Sequence, residues 1–152
     1  MRTLAKSADL ATLRVRITAL TPTDTPRWGS MTVAQMVVHL RDAFCVPLGE
    51  RSVTRPPSVP PIPVSLYRWL ALNFPRKWPQ GVPTTPEMDQ QIGGTSPAGF
   101  DADRTALFAK LGQFVQATGP WSPHPMFGAL TQAQWMRWGY LHTDHHLRQF
   151  GR

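Results

Sequence analysis

A chain of 152 residues, 41% of them hydrophobic and 16% charged, is long and apolar enough to bury a core, which excludes wholesale disorder. Its formal charge of +7 is dispersed along the chain, which argues against a nucleic-acid partner because that function needs a basic patch. The single cysteine, Cys45, excludes an internal disulfide and a paired-cysteine metal site. We therefore expect a cytoplasmic protein with a single domain over residues 1–152.

The sequence predicts neither export nor a membrane span. The N-terminal segment carries Arg14 and Arg16 where the apolar core of a signal peptide would lie. The most apolar later stretch, residues 62–74, is interrupted by Arg68 and is shorter than the roughly 20 residues that a spanning helix requires. We expect this stretch to be buried or to face a partner.

Two helices are predicted in the first third of the chain. Apolar residues recur every three or four positions over residues 3–20, and two prolines then end the pattern. In the next segment, Thr32 followed by Gln35 has the spacing of a capping box. The second helix is therefore predicted to run from Thr32 to about Val46.

Proline dominates the middle of the chain. It removes backbone donors over Pro47 to Pro63 and again over Pro75 to Gly99, which predicts two long irregular connections. The apolar stretch from Val64 to Phe74 between them predicts a short helix. Long connections of this kind within a compact domain are typically functional or mobile.

Two more helices are predicted near the C-terminus. The first begins at Asp101 or Asp103 and ends near Gly119, and its inner face is apolar: Leu107, Phe108, Leu111, Phe114 and Val115. The second repeats the capping-box spacing, with Thr131 as cap and Gln134 three residues later.

This last helix is predicted to continue to Phe150, with Gly151 as its C-terminal stop. No convincing stretch of the sequence shows the period-two alternation of a strand. Four principal helices and a shorter one predict an all-α fold, a helical bundle with long proline-rich connections.

Two histidines of the last predicted helix have the spacing of metal ligands. His142 and His146 lie one turn apart, roughly 40° from each other around the helix. Trp135, Trp138 and Gln149 fall on the same face, so this face is expected to point inward. Imidazoles at positions i and i+4 converge readily on one ion.

His145 is the geometric competitor for this site. A pair made of His142 and His145 would also share one face, although we favour His146 as the ligand. His145 would then be a hydrogen-bond donor to a ligand, a substrate contact or a half-buried interface residue. Asp144 and Arg148 point to the opposite side and are expected to form an exposed ion pair.

His39 lies in a predicted helix that is apolar nearly all round. A lone imidazole there is costly unless both ring nitrogens are satisfied, and a hydrogen bond in the core is the simplest solution. With a histidine pair facing inward from another helix, one metal ion would satisfy all three residues. Asp42, one turn later, would either close the site as a fourth ligand or orient His39.

Two other residues are candidates for chemical roles. His124 lies just before the last predicted helix, where it is either a turn residue or a group that reaches the end of the bundle as a proton donor or substrate contact. Cys45 falls off the face that carries His39, which favours a small core residue over a nucleophile.

Three segments carry a resemblance to a known family: Trp28 to Leu40, His124-Pro-Met-Phe-Gly128 and His142-Thr-Asp-His-His146-Leu-Arg-Gln149. They resemble the DinB-like superfamily of bacterial metal-binding four-helix proteins, whose members share an H-x-x-H-H-x-x-Q ending. The segment at His124 is similar to a branch classed only as a domain of unknown function. The resemblance maps the family's three metal ligands onto His39, His142 and His146.

This resemblance implies a four-helix bundle, often dimeric, that holds zinc, nickel or a similar divalent ion. Some relatives are transferases or isomerases that use a low-molecular-weight thiol. The proline-dense middle of this chain departs from the family's pattern.

Three histidine ligands leave a coordination position open, as in catalytic zinc sites. We therefore expect a metal-dependent enzyme of thiol-transferase type that acts on a small molecule, with His145 or His124 as a catalytic group. A metal-dependent hydrolase is a variant of this expectation. The alternative is a non-catalytic, metal-stabilised bundle that binds a ligand or has a regulatory role.

Overall fold

A computed structural model describes residues 1–54, 61–74 and 77–152 of the chain. Within these ranges the structure contains five α-helices, one short 3-10 turn and no strand. The turn is Pro86–Met88, and the helices are α1 Ser7–Thr18, α2 Val33–Cys45, α3 Val64–Asn73, α4 Phe100–Gln116 and α5 Gln132–Gln149. None of the helices in the described ranges is long and apolar enough to cross a membrane.

The predicted helices are all present, with shifted ends. Helix α1 is shorter than the predicted range 3–20, and α4 ends at Gln116 rather than near Gly119. Asp103 does not begin α4 but lies in its first turn, where its carboxylate accepts hydrogen bonds from the backbone N–H groups of Ala98 and Gly99. The acidic side chain thereby satisfies donors that precede the helix.

The helices that carry the three predicted metal ligands, α2 and α5, begin with the same device. Thr32 Oγ1 accepts from Gln35 N at 3.2 Å while Gln35 Oε1 accepts from Thr32 N at 2.9 Å, and α5 repeats both bonds with Thr131 and Gln134. The predicted capping boxes are therefore confirmed. They fix where each helix starts, and so which side chains face the core.

Helix α2 packs mainly against α4, whereas α5 contacts α1, α2 and α3. The side chains of Phe44, Phe114 and Trp135 are fully buried where these helices meet. Gly139 allows a close approach within this core, because a Cβ added there would lie 2.6 Å from Leu4 Cδ1. The hydrophobic core therefore surrounds the N-terminal half of α5 and continues at Leu147 in the C-terminal half, next to the histidines.

An ion-pair cluster ties the two ends of the chain together. Asp144 on α5 lies 2.9 Å from Arg148 and 2.7 Å from Arg16 on α1. The predicted pair with Arg148 is thus confirmed, but it is not exposed, because all three side chains are 20–24% accessible. Asp144 therefore joins α1 to α5 on the side away from the histidines.

The two proline-dense connections are described only in part, since residues 55–60 and 75–76 lie outside the described residues. The second connection contains the 3-10 turn Pro86–Met88, which contacts α2. Met88 is buried there. This connection therefore brings part of the wall of the histidine site to α2.

Candidate metal centre

Three histidines from two helices converge on one point. The Nε2 atom of His142 lies 3.3 Å from that of His39 and 3.2 Å from that of His146. Ligand atoms of all three residues lie within 4.8 Å of one another. Nitrogens bound at 2.0–2.1 Å to one tetrahedral zinc would lie about 3.3 Å apart. The spacing of the group therefore fits the ligands of a single ion.

The outward nitrogens of two of these rings are held by hydrogen bonds. His39 Nδ1 donates to the backbone carbonyl oxygen of Met88 at 2.9 Å, and His146 Nδ1 donates to Gln149 Oε1 at 2.9 Å. The Gln149 amide is itself oriented, since its Nε2 donates to the carbonyl oxygen of Trp28. Because oxygens of this kind only accept, Nδ1 carries the proton in both rings, and the Nε2 lone pair of each ring faces Nε2 of His142.

Burial keeps the three rings neutral. It lowers the pKa of His39 and takes the pKa values of His142 and His146 well below the ordinary histidine value, and the neighbouring histidines lower both further. Neutral imidazole is the form that binds a metal. A proton on Nε2 of His142 would satisfy at most one of the other two Nε2 lone pairs, whereas a divalent ion would bind all three nitrogens, so the donor set fits a divalent ion.

His142 is positioned by stacking rather than by a hydrogen bond. Its ring lies 4.9 Å from the ring of Trp138, with 15° between the planes. Its Nδ1 atom is buried and has no hydrogen-bond partner within the described ranges. The ring plane of His142 is therefore set by an aromatic face one turn earlier on α5.

Asp42 is not a fourth ligand, and it acts on His39 only through other residues. Its buried carboxylate lies 2.9 Å from Arg41 and 3.2 Å from Arg51, and it accepts from Thr95 N at 3.0 Å and from Gln90 Nε2 at 3.3 Å. These partners occupy both oxygens, so Asp42 does not close the site. Nor does it contact Nδ1 of His39, whose partner is a backbone carbonyl.

Asp42 instead holds the segment that supplies this carbonyl. Arg51, paired with Asp42, also donates to the backbone oxygen of Glu87 at 2.5 Å and to Thr95 Oγ1 at 2.7 Å. These contacts lie on both sides of Met88 in the sequence. Asp42 therefore positions His39 indirectly, through the segment 86–95.

The histidine group forms part of the wall of a pocket of about 730 Å³. This volume is typical of small-molecule sites. Aromatic and aliphatic side chains supply most of the wall, including Trp28, Met31, Tyr67, Trp78, Met126, Phe127, Trp135 and Trp138. His124 and His145 also line it, so a molecule in the pocket is within reach of all five histidines of the chain.

His145 lies beside the ligand group without joining it. Its ring meets His146 edge-on at 5.2 Å and Trp28 at 5.9 Å, and burial lowers its pKa. The three-residue group contains His146 instead, as the i, i+4 spacing predicts. Of the roles predicted for His145, its place in the pocket wall fits a substrate contact.

His124 is a turn residue that also reaches the pocket. Its Nδ1 accepts hydrogen bonds from the backbone N–H groups of Met126 at 3.1 Å and Phe127 at 3.3 Å.

Cys45 is half-buried, and burial raises the pKa of its thiol to about 11. Few thiolates therefore form at neutral pH, in agreement with a structural role for Cys45.

The fold and this site define an all-helical protein whose buried histidine group could hold a metal ion in the wall of a small-molecule pocket. Residues 5–152 match the model of a family described as "Protein of unknown function (DUF1569)", and the chain belongs to that family. No curated protein and no solved structure matches the chain significantly. The resemblance to the DinB-like superfamily thus stays a prediction.

Proposed function

We propose that the protein is a metal-dependent enzyme that binds one divalent ion through His39, His142 and His146. Its fold is proposed to be a four-helix bundle of the DinB-like type, with α3 as an additional short helix. The observation that carries this proposal is the convergence of three Nε2 atoms, with the protons of the His39 and His146 rings directed outward. In a purely structural cluster, one proton on His142 Nε2 would satisfy only one of the other two Nε2 atoms and would leave the second acceptor without a partner.

A divalent ion such as zinc or nickel supplies Lewis-acid chemistry that activates a thiol or a water molecule. The chain's own residues supply the surroundings. Met88 and Gln149 hold two rings in their metal-binding tautomer, and Trp138 fixes the plane of the third. The aromatic wall limits water around the group and accommodates an apolar substrate.

We propose that the reaction is the transfer of a low-molecular-weight thiol to a small-molecule substrate. This choice is supported by the low reactivity and the position of the chain's own thiol. Cys45 is a weak nucleophile, with a pKa of about 11, and it is not among the described residues of the pocket wall. A thiol nucleophile would therefore come from outside the chain, and a pocket of about 730 Å³ would hold a small thiol together with a small substrate. A hydrolase, in which water is the nucleophile, is the variant within this class.

The second candidate is a non-catalytic module in which the ion stabilises the bundle or binds a ligand. It is favoured by the rings around His142, because Trp138 lies at 4.9 Å and Trp78 at 6.3 Å. Bulky rings so close to the group can deny a substrate access to the ion.

For either candidate we propose a cytoplasmic, single-domain protein that forms a homodimer and has neither nucleic acid nor membrane as a partner.

Metal analysis of untagged protein tests the site. We expect close to one divalent ion per chain, and the loss of most of it in His142→Ala and in His146→Ala. His145→Ala is the matched control, because it removes a neighbouring histidine from the same helix and should retain the metal. Metal content like that of the wild type in His142→Ala would refute the site. Loss in His145→Ala with retention in His146→Ala would move it by one residue.

Cobalt substitution separates the enzyme from the module. A Co(II) sample should change its visible spectrum when a small thiol or azide enters an open coordination position. We expect this change for the enzyme. A spectrum indifferent to every small ligand would favour the non-catalytic module.

A further inference from the structure

His124 is fixed in one tautomer by the loop that carries it. The backbone N–H and C=O groups of His124 and Gly128 bond to each other at 2.9 and 2.8 Å, which closes the loop around the ring. Inside this loop the N–H groups of Met126 and Phe127 both point at Nδ1. An Nδ1 atom that accepts two hydrogen bonds cannot carry a proton, so the neutral ring carries its proton on Nε2.

The surroundings of the ring keep it neutral. It stacks on Phe127 at 4.4 Å and meets Trp138 at 5.3 Å and Trp135 at 5.5 Å. Burial among these rings lowers the pKa of His124 to about 3. A group with this pKa is not an imidazolium acid near neutral pH, so the predicted role of His124 as a proton donor is disfavoured. A fixed, neutral N–H remains available as a hydrogen-bond donor.

This donor has no hydrogen-bond partner among the residues that the structure describes. Nε2 of His124 makes no hydrogen bond within the described ranges, although the residue is only 9% exposed. Unlike the Nδ1 atoms of His142 and His145, Nε2 of His124 is not among the fully buried and unpartnered atoms of the described residues. Since the ring lines the pocket, a molecule bound there can satisfy this N–H.

We infer that the pocket binds an apolar ring-containing molecule through a carbonyl or similar acceptor oxygen, with the Nε2–H of His124 as the donor to that oxygen. This inference rests on the proposed function only in taking the pocket as the substrate site. Apart from the histidines, the charged residues of the described wall are one cation, Lys77, and one anion, Asp89, and most of the wall is apolar, so an uncharged ligand body matches it. Trp138 contacts both His124 and His142, so only one side chain separates the donor from the three-histidine group.

The Nε2–H donor of His124 can be tested with two matched probes, 1-indanone and indane. They share a ring system and differ in one carbonyl group, which only 1-indanone has. His124→Asn is the informative variant, because the Asn Oδ1 can replace Nδ1 as the acceptor in the loop, whereas the shorter side chain places no donor at the position of Nε2. Chemical-shift titrations of wild type and variant give both dissociation constants. We expect about a tenfold weaker binding of 1-indanone to the variant, the usual effect of one hydrogen bond, and less than about a twofold change for indane.

An unchanged affinity for 1-indanone in His124→Asn, or no binding of either probe to the wild type, would overturn the inference. Nitrogen-15 spectra of the wild-type histidines give an independent readout, since His124 should show the Nε2–H tautomer from pH 5 to 8. An Nδ1–H tautomer or an imidazolium at pH 7 would also overturn it.

Metal content is measured on the same samples. If His124→Asn bound 1-indanone tenfold more weakly but the wild type held no metal, the inference would stand and the proposed function would be refuted. If the wild type held metal but His124→Asn bound 1-indanone as tightly as the wild type does, the inference would be refuted and the proposed function would stand.

Discussion

The Nδ1–H of His39 donates to the carbonyl oxygen of Met88, 49 residues later in the chain, at 2.9 Å. The orientation of one proposed ligand on α2 therefore depends on a connection that is otherwise rich in proline. That connection is held against α2 by the buried carboxylate of Asp42, through Arg51 and Thr95. Metal affinity should consequently depend on residues that touch neither the ion nor its ligands.

Asp42→Asn should weaken metal binding while leaving all three histidines in place. The change removes the charge that pairs with Arg41 and Arg51 but preserves the volume of the side chain. We expect roughly a tenfold loss of metal affinity, at the lower end of what mutations of the groups behind metal ligands cause. We also expect a fall of about 1–3 kcal/mol in the free energy of unfolding. Competition with a chromogenic chelator measures the first and urea unfolding the second.

Asp101→Asn is the matched control for Asp42→Asn. Asp101 also pairs with an arginine, Arg104 at 2.7 Å, but its side chain is 86% exposed. An exposed ion pair of this kind contributes little to stability. Neither metal affinity nor stability should change measurably. If a folded Asp42→Asn variant bound the metal as tightly as the control, the segment 86–95 would not position His39.

The helical part of this architecture could be predicted from the sequence because it depends on local signals. Both capping boxes involve residues three positions apart, and the i, i+4 spacing from His142 favours His146 over His145 without any knowledge of the neighbouring helices. The partnership of His146 with Gln149 also spans one turn of one helix, so helical spacing could have indicated it. Signals of this kind lie within a single element.

The remaining parts of the site could not be predicted because they depend on long-range and backbone contacts. Met88 orients His39 through its carbonyl oxygen, which every residue type possesses, so its side chain carries no signal. The helical spacing between Asp42 and His39 suggests a ligand, but it says nothing about what else the carboxylate meets. Its partner Thr95 lies 53 residues away, across a connection with no periodic pattern. The tautomer of His124 similarly requires the geometry of its loop.

Gly139→Ala should destabilise the fold. An added Cβ would lie 2.6 Å from Leu4 Cδ1, 3.1 Å from the ring of Phe114 and 3.2 Å from that of Phe44, all three of which are buried. Overpacking of this kind costs about 1–3 kcal/mol, more than the roughly 1 kcal/mol that alanine gains over glycine in a helix. We expect a net loss of about 1 kcal/mol in the free energy of unfolding, measured by urea denaturation.

Gly112→Ala provides the opposite result on α4. Apart from the chain neighbours and the local backbone of the helix, no atom of the described residues lies within 4 Å of an added Cβ at this position, so mainly the helix propensity changes. This variant should be more stable than the wild type by about 0.5–1 kcal/mol. Equal effects of the two substitutions would show that the core around Gly139 relaxes at little cost.

His124 should also make the stability of the protein dependent on pH. Its pKa is about 3 in the folded protein because of burial, whereas a histidine in an unfolded chain titrates near 6.5. Below about pH 6.5 the unfolded chain binds a proton that the folded protein excludes, so acid favours unfolding. The stability is fully present above about pH 6.5 and is lost as the pH falls toward 3, at about 1.4 kcal/mol per pH unit.

Urea unfolding of wild type and His124→Asn at pH 7 and pH 5 isolates this contribution. The histidines of the candidate metal group also have lowered pKa values, and a bound ion would dissociate in acid, but both effects would operate in the wild type and the variant alike. The difference between the two proteins therefore reports His124. Between pH 7 and pH 5 the wild type should lose about 2 kcal/mol more stability than the variant, because only the wild type must exclude a proton from this ring. The same pH dependence in both proteins would mean that His124 is protonated in the folded state, and its ring could then not keep Nδ1 free to accept the N–H groups of Met126 and Phe127.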